Sequence, residues 1–104
     1  MIIVNILITA ATSAQAHRLK NELIKEQVLL GDHFEIPAFM LTSGAMIKLP
    51  NPDSSSYTHE MLALCLDQDV NIVHLFREKE TRLLVEAEQL FNEYHILLIK
   101  NNEV

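Results

Sequence analysis

The sequence predicts an α/β domain: a mostly parallel five-stranded sheet in three layers, with helices on both faces. Three observations carry that expectation. The stretch from Ile2 to Ile8 is β-branched or leucine throughout except for Asn5, the composition of a strand buried on both faces. Short apolar runs of this kind alternate along the chain with segments whose apolar residues recur at helical spacing. Cys65 is the only cysteine, which leaves no disulfide framework to replace a packed core.

The order of elements follows from the N-terminus. After the first strand, the small residues Thr9-Ala10-Ala11-Thr12-Ser13-Ala14 lead into a helix expected from about Ser13 to Lys25 or Glu26, with Ala16, Leu19, Leu23 and Ile24 as its apolar stripe. Thr12 and Gln15 have the spacing of a capping box. A strand, a tight turn and a helix start open a nucleotide-type unit and put N–H groups at the carboxyl edge of a sheet, where an anion can sit. Ala10, Ala11, Thr12 and Ser13 are therefore candidate cofactor-binding positions. The turn has no glycine, however, and alanine does not readily take the positive φ that a tight pyrophosphate loop requires.

A second strand, Gln27 to Gly31, ends in Asp32. That carboxylate stands about 20 residues past the turn, where dinucleotide-binding units place the group that holds a ribose. An Asx turn closing the strand accounts for it equally well. Residues 33–45 mix Phe34, Ile36, Phe39, Met40 and Leu41 with Pro37, as a short helix or an irregular cover over a sheet edge. Thr42-Ser43-Gly44 reads as a turn and Met46 to Leu49 as a short edge strand. The loop from Pro50 to Ser56 is polar. A helix is expected from Ser55 or Ser56 to Gln68, then a strand from Asn71 to Phe76 with His74 inside it. The last helix is expected to run unbroken from about Lys79 to Tyr94, with Leu83, Ala87, Leu90 and Phe91 inward. Extending its stripe backward reaches Glu80, either a local cap or a carboxylate aimed at the carboxyl edge of the sheet. A final strand, His95 to Ile99, precedes a polar tail. Right-handed crossovers then give the strand order 3-2-1-4-5.

Composition narrows the function. The 104 residues make one domain, spanning 1–104, with 49% apolar and 21% charged residues. Fourteen acidic residues against eight basic ones give a net charge of −6 and no basic patch, so nucleic acid is not an expected partner. Arg77-Glu78-Lys79-Glu80 alternates in sign and reads as a solvated helix start. The N-terminal apolar run is short and lacks a basic n-region, which argues against a signal peptide or a membrane span and for a cytoplasmic protein. The five histidines are scattered rather than spaced as ligands, and no P-loop or nucleophile–base set is visible, so neither a metal, a cofactor nor stand-alone catalysis is expected. A general base at His74 or Glu80 is the enzymatic alternative.

The succession ILITAATSAQAHRLKNEL, VLLGD, LPNPDSSSYTHEMLALCLDQDVNIVHLF and REKETRLLVEAEQLFNEYHILLI resembles the N-terminal, pre-ATP-grasp domain of the carbamoyl-phosphate-synthase-like ATP-grasp enzymes. The resemblance covers nearly the whole chain and rests on the order of its motifs. It implies a Rossmann-like domain that packs against an ATP-grasp fold and helps frame its active site, while later domains supply the principal ATP and magnesium ligands. By position, Ala10 to Ser13 match the family's glycine-bearing loop, Asp32 the acidic end of its second strand, and Glu80 the glutamate opening the helix after its fourth strand. The sequence stops where the ATP-binding domains would begin. The expected function is therefore a non-catalytic module that docks to or completes an ATP-grasp ligase, or self-associates. The alternative is a small nucleotide or nucleotide-sugar binding protein.

Overall fold

The computed structural model describes residues 4–23 and 26–101. Ile2 and Ile3 of the expected first strand, Ile24 and Lys25 of the first helix, and the tail residues 102–104 lie outside it. In chain order the elements are β1 (Asn5–Ile8), α1 (Ala14–Glu22), β2 (Gln27–Asp32), α2 (Ala38–Thr42), β3 (Met46–Lys48), α3 (Tyr57–Asp67), β4 (Ile72–Leu75), α4 (Glu78–Val85), α5 (Glu88–Glu93) and β5 (Leu97–Lys100). The five strands form one all-parallel sheet in the order β3-β2-β1-β4-β5. This is the Rossmann-like layout expected from the sequence.

The layers follow from the direction in which the chain moves. It steps from β1 to β2 to β3 toward one edge, and right-handed crossovers put α1 and α2 on one face. It then returns past β1 and steps through β4 to β5, which puts α3, α4 and α5 on the other. Side-chain alternation fills both faces. Leu7, Val73, Leu75 and Leu98 pack against Met61, Cys65, Leu84 and Phe91, while Ile6, Ile8, Leu30 and Met46 pack with Ala16 and Ile36. Strand β1 thus carries buried side chains on both faces, as the apolar run Ile6–Ile8 requires. Asn5, the one interruption, sits at the amino edge and donates through Nδ2 to the Asp69 carbonyl at 2.9 Å.

Two local expectations are corrected. The N-cap of α1 is Ser13, whose Oγ accepts from the Ala16 N–H at 3.2 Å, so Thr12 and Gln15 form no capping box. Thr12 is drawn instead to Asp32. The last helix is not continuous: α4 ends at Val85 and α5 begins at Glu88. The Ala87 N–H bonds to the Leu84 carbonyl at 3.0 Å, a three-residue step that tightens the chain for one turn. Leu84 and Phe91 on either side of the step both remain fully buried, so the apolar stripe crosses the break undisturbed and no glycine or proline marks it.

Gly31 in β2 lies under Leu49. A Cβ at this position would stand 2.7 Å from Leu49 Cδ2 and 2.9 Å from its Cγ. Leu49 is itself buried and has little room to move. Gly31→Ala is expected to destabilise the fold by about 1–3 kcal/mol, read as a lower urea midpoint at an unchanged slope.

Candidate functional site

The reversal in strand order makes β1 and β4 neighbours whose following helices diverge to opposite faces, and in open α/β sheets ligands gather at such a point, beyond the strands' carboxyl ends. Among the described residues the buried polar or charged side chains are Thr9, Asp32 and Glu80, and all three lie there.

The turn after β1 is built without glycine. Ala10 takes φ 57°, a left-handed conformation that costs a non-glycine residue about 1–2 kcal/mol. The bond from the Ser13 N–H to the Ala10 carbonyl at 2.8 Å closes the turn, and the Ala11 N–H reaches the Gly31 carbonyl at 3.0 Å. Alanine therefore supplies here the backbone shape for which the sequence offered no glycine. Ala10 and Ala11 are fully buried, whereas Thr12 is exposed and Ser13 half-buried.

Asp32 lies at the centre. Its Oδ2 accepts from the Thr12 hydroxyl at 2.8 Å, the Thr12 N–H at 3.2 Å and Arg77 Nη2 at 2.8 Å; its Oδ1 accepts from the Phe34 N–H at 3.1 Å. Phe34 N–H to Asp32 Oδ1 is the Asx-type contact that could be foreseen locally. The bonds from Thr12 and Arg77 come from other strands. Desolvation opposes ionisation of this fully buried carboxylate. The Arg77 guanidinium, the Thr12 hydroxyl and the Phe34 and Thr12 N–H groups together outweigh it and hold the carboxyl below its usual range. Hydrogen bonds to a charged acceptor contribute about 1.5–3 kcal/mol each, so four of them offset a desolvation penalty of several kcal/mol.

Glu80 shows the opposite balance. It sits in the first turn of α4 but caps nothing. Its Oε1 meets His33 Nδ1 at 2.9 Å, across the end of β1, while Oε2 has no hydrogen-bond partner among the described residues. Of the two readings open in the sequence, it takes the one directed at the sheet edge. With few donors, burial prevails over the His33 and Thr9 contacts and pushes the Glu80 carboxyl up. Tyr57 of α3 is buried with its hydroxyl likewise unpartnered, and burial followed by the charge of Glu80 pushes its phenol up.

His33 and Arg77 were not distinguished by the sequence, yet both belong to this site. His33 is 16% exposed and lies 4.0 Å from Asp32 Oδ1 as well as against Glu80. Arg77, read as part of a solvated run, is only 14% exposed and stacks over the Phe34 ring at 3.8 Å. Lys48 Nζ clamps the His33 and Phe34 carbonyls at 2.7 and 2.8 Å. The available signal was positional: both residues directly follow, or nearly follow, a strand's carboxyl end. By contrast His74 lies within β4 and its side chain meets Asn101; burial lowers its pKa, with that 3.2 Å contact acting in the opposite direction. Cys65 is a buried thiol pushed up to about 12 by desolvation, and so is unreactive.

Among the described residues, no group of three or more His, Cys, Asp or Glu is arranged to hold a metal ion, and no helix is long and apolar enough to cross a membrane. A cavity of about 340 Å³ opens at the opposite, amino edge, lined in part by Asn5, Gln27 and Asp69. Comparison with protein-family models and with curated proteins gave no match. Fold and site therefore define the class: a Rossmann-like α/β domain whose switch point is occupied by its own polar network.

Two variants separate the carboxylates. Asp32, with its folded pKa lowered, contributes stability that is present above the ordinary value of 3.8 and lost as pH falls through the lowered one. Asp32→Asn should cost about 3 kcal/mol at neutral pH, the deficit shrinking on acidification. Glu80, with its folded pKa raised, contributes stability that is full below the ordinary value of 4.5 and lost as pH rises through the raised one. Glu80→Gln should match or exceed the parent at neutral pH, by up to about 1 kcal/mol, and fall back toward it in acid. Denaturant titrations at several pH values read both.

Proposed function

We propose that this chain is a Rossmann-like module, non-catalytic by itself, that docks to, or completes, an ATP-grasp ligase. The state of the carboxyl edge carries the reading. Asp32, the residue positioned to hold a ribose, already accepts from four protein donors, three at Oδ2 and one at Oδ1. The hydroxyls of Thr12 and Ser13 are likewise engaged, one on Asp32 and one as the cap of α1. This pattern supports a rigid framing element over a stand-alone nucleotide site. Beside it, Phe34, Phe39 and Leu41 leave 50%, 70% and 41% of their surfaces exposed on the segment between β2 and β3. Exposed aromatic groups in such density favour a protein contact. The choice of an ATP-grasp partner comes from the order of motifs along the sequence.

Copurification from native cells tests the docking. The parent chain is expected to retain a protein bearing an ATP-grasp domain, and Phe39→Glu, at a surface position, to lower that retention about tenfold. A monomeric chain retaining no such protein would refute the proposal. Calorimetric binding of ATP, NAD or a nucleotide sugar by the chain alone would favour the nucleotide-binding alternative.

A further inference from the structure

His33 and Glu80 form a pair that the framing role does not use. The Glu80 carboxyl is fully buried and touches the imidazole only through Oε1, at 2.9 Å from Nδ1. His33 Nε2 makes no hydrogen bond among the described residues, and the side chain keeps 16% of its surface exposed. Because the ring reaches from the end of β2 to α4, it lies over the carboxyl end of β1, at the switch point. Several contacts fix its placement. Lys48 holds the His33 carbonyl, and Phe34 stands edge-on to the imidazole with ring centroids 4.7 Å apart. Asp32, whose Oδ1 lies 4.0 Å from the same Nδ1, is kept in place by Arg77.

An ionised carboxylate can only accept hydrogen bonds. At a pH above its raised titration, Glu80 is in that form, so it requires Nδ1 to carry the ring hydrogen and leaves the lone pair on Nε2. A base oriented by a buried carboxylate is the arrangement that proton-transfer sites use. We propose that Glu80 and His33 are a proton-transfer dyad: His33 is the residue this module contributes to a shared active site, where Nε2 takes a proton from an amine or hydroxyl of a substrate held by the partner. Glu80 is the positioning residue. In the step, the N–H or O–H bond breaks, its electron pair stays on the substrate atom, and the proton moves to Nε2. Glu80 then balances the imidazolium charge, and the proton passes on to solvent or to a leaving group. The substrate's place in the proposal rests on the docking reading; the dyad itself is a property of this chain and is tested on it alone.

Two measurements on the full-length chain decide it. The first is ¹⁵N NMR of the His33 ring at about pH 8, where an ordinary histidine is neutral. The second is acylation by diethyl pyrocarbonate, mapped by mass spectrometry against the exposed His17 of the same molecule. The expected results are the Nδ1–H form, acylation of His33 at least as fast as that of His17 despite its lower exposure, and a loss of about tenfold in the His33 rate in Glu80→Gln. That variant keeps an acceptor for Nδ1, and the His17 rate monitors its fold. An Nε2–H ring in the parent chain, or a His33 rate unchanged in Glu80→Gln, would overturn the dyad. Copurification reads docking separately, so a confirmed dyad without a partner would refute only the substrate assignment.

Discussion

One carboxylate joins the parts that make this edge of the sheet. Asp32 stands at the end of β2 and accepts from the turn after β1, from Phe34 two residues further on, and from Arg77 just past β4. It therefore ties together three adjacent strands at the point where their connections diverge to opposite faces. A parallel sheet brings its carboxyl ends to one edge but does nothing by itself to hold the intervening loops. Here a buried charge with four donors does so. Removing any one donor would leave the rest to bear the desolvation of an ion, which is why such a cluster behaves as a unit.

The number of donors decides the different behaviour of the two acids. Neither Asp32 nor Glu80 exposes its side chain and both lie at the same edge, yet one is held in its charged form and the other, the more deeply desolvated, is pushed toward its neutral form. Asp32 receives a guanidinium, a hydroxyl and two N–H groups. Glu80 has one firm contact, to an imidazole, and an oxygen left over. Paired acids whose surroundings drive them apart are a recurrent device where protons are to be moved. The same contrast allows a framing role for one side of the network and a chemical role for the other.

Strands and their order were legible because each reports a local pattern. The apolar run before Thr9, interrupted only by Asn5, had to be buried on both faces, and alternation of strand and helix left right-handed crossovers to set the order. Asp32 was legible from its position after a strand, as a ribose ligand or a local turn; the structure adds Arg77 and Thr12 as its partners. Glu80 was legible as a charge on an apolar stripe, though not its partner. The split between α4 and α5 was not legible, since Leu84 and Phe91 keep helical phase across it and no breaking residue intervenes. Thr12 was misread as a cap because its spacing to Gln15 is a local signal, and a buried carboxylate from the next strand outcompeted it for the hydroxyl.

By itself the sequence determined a single α/β layout, the positions of the two buried acids at strand and helix boundaries, and a surface without a basic patch, because these depend on residue type, periodicity and composition. Tertiary structure decided what the acids do. The Asp32–Arg77 and His33–Glu80 pairs are separated by 45 and 47 residues along the chain, and no local pattern encodes a contact made only when a parallel sheet brings distant strand ends to one edge. It also decided that Ala10 would take the left-handed turn usually left to glycine: the surrounding bonds, not the residue's own preference, set its backbone.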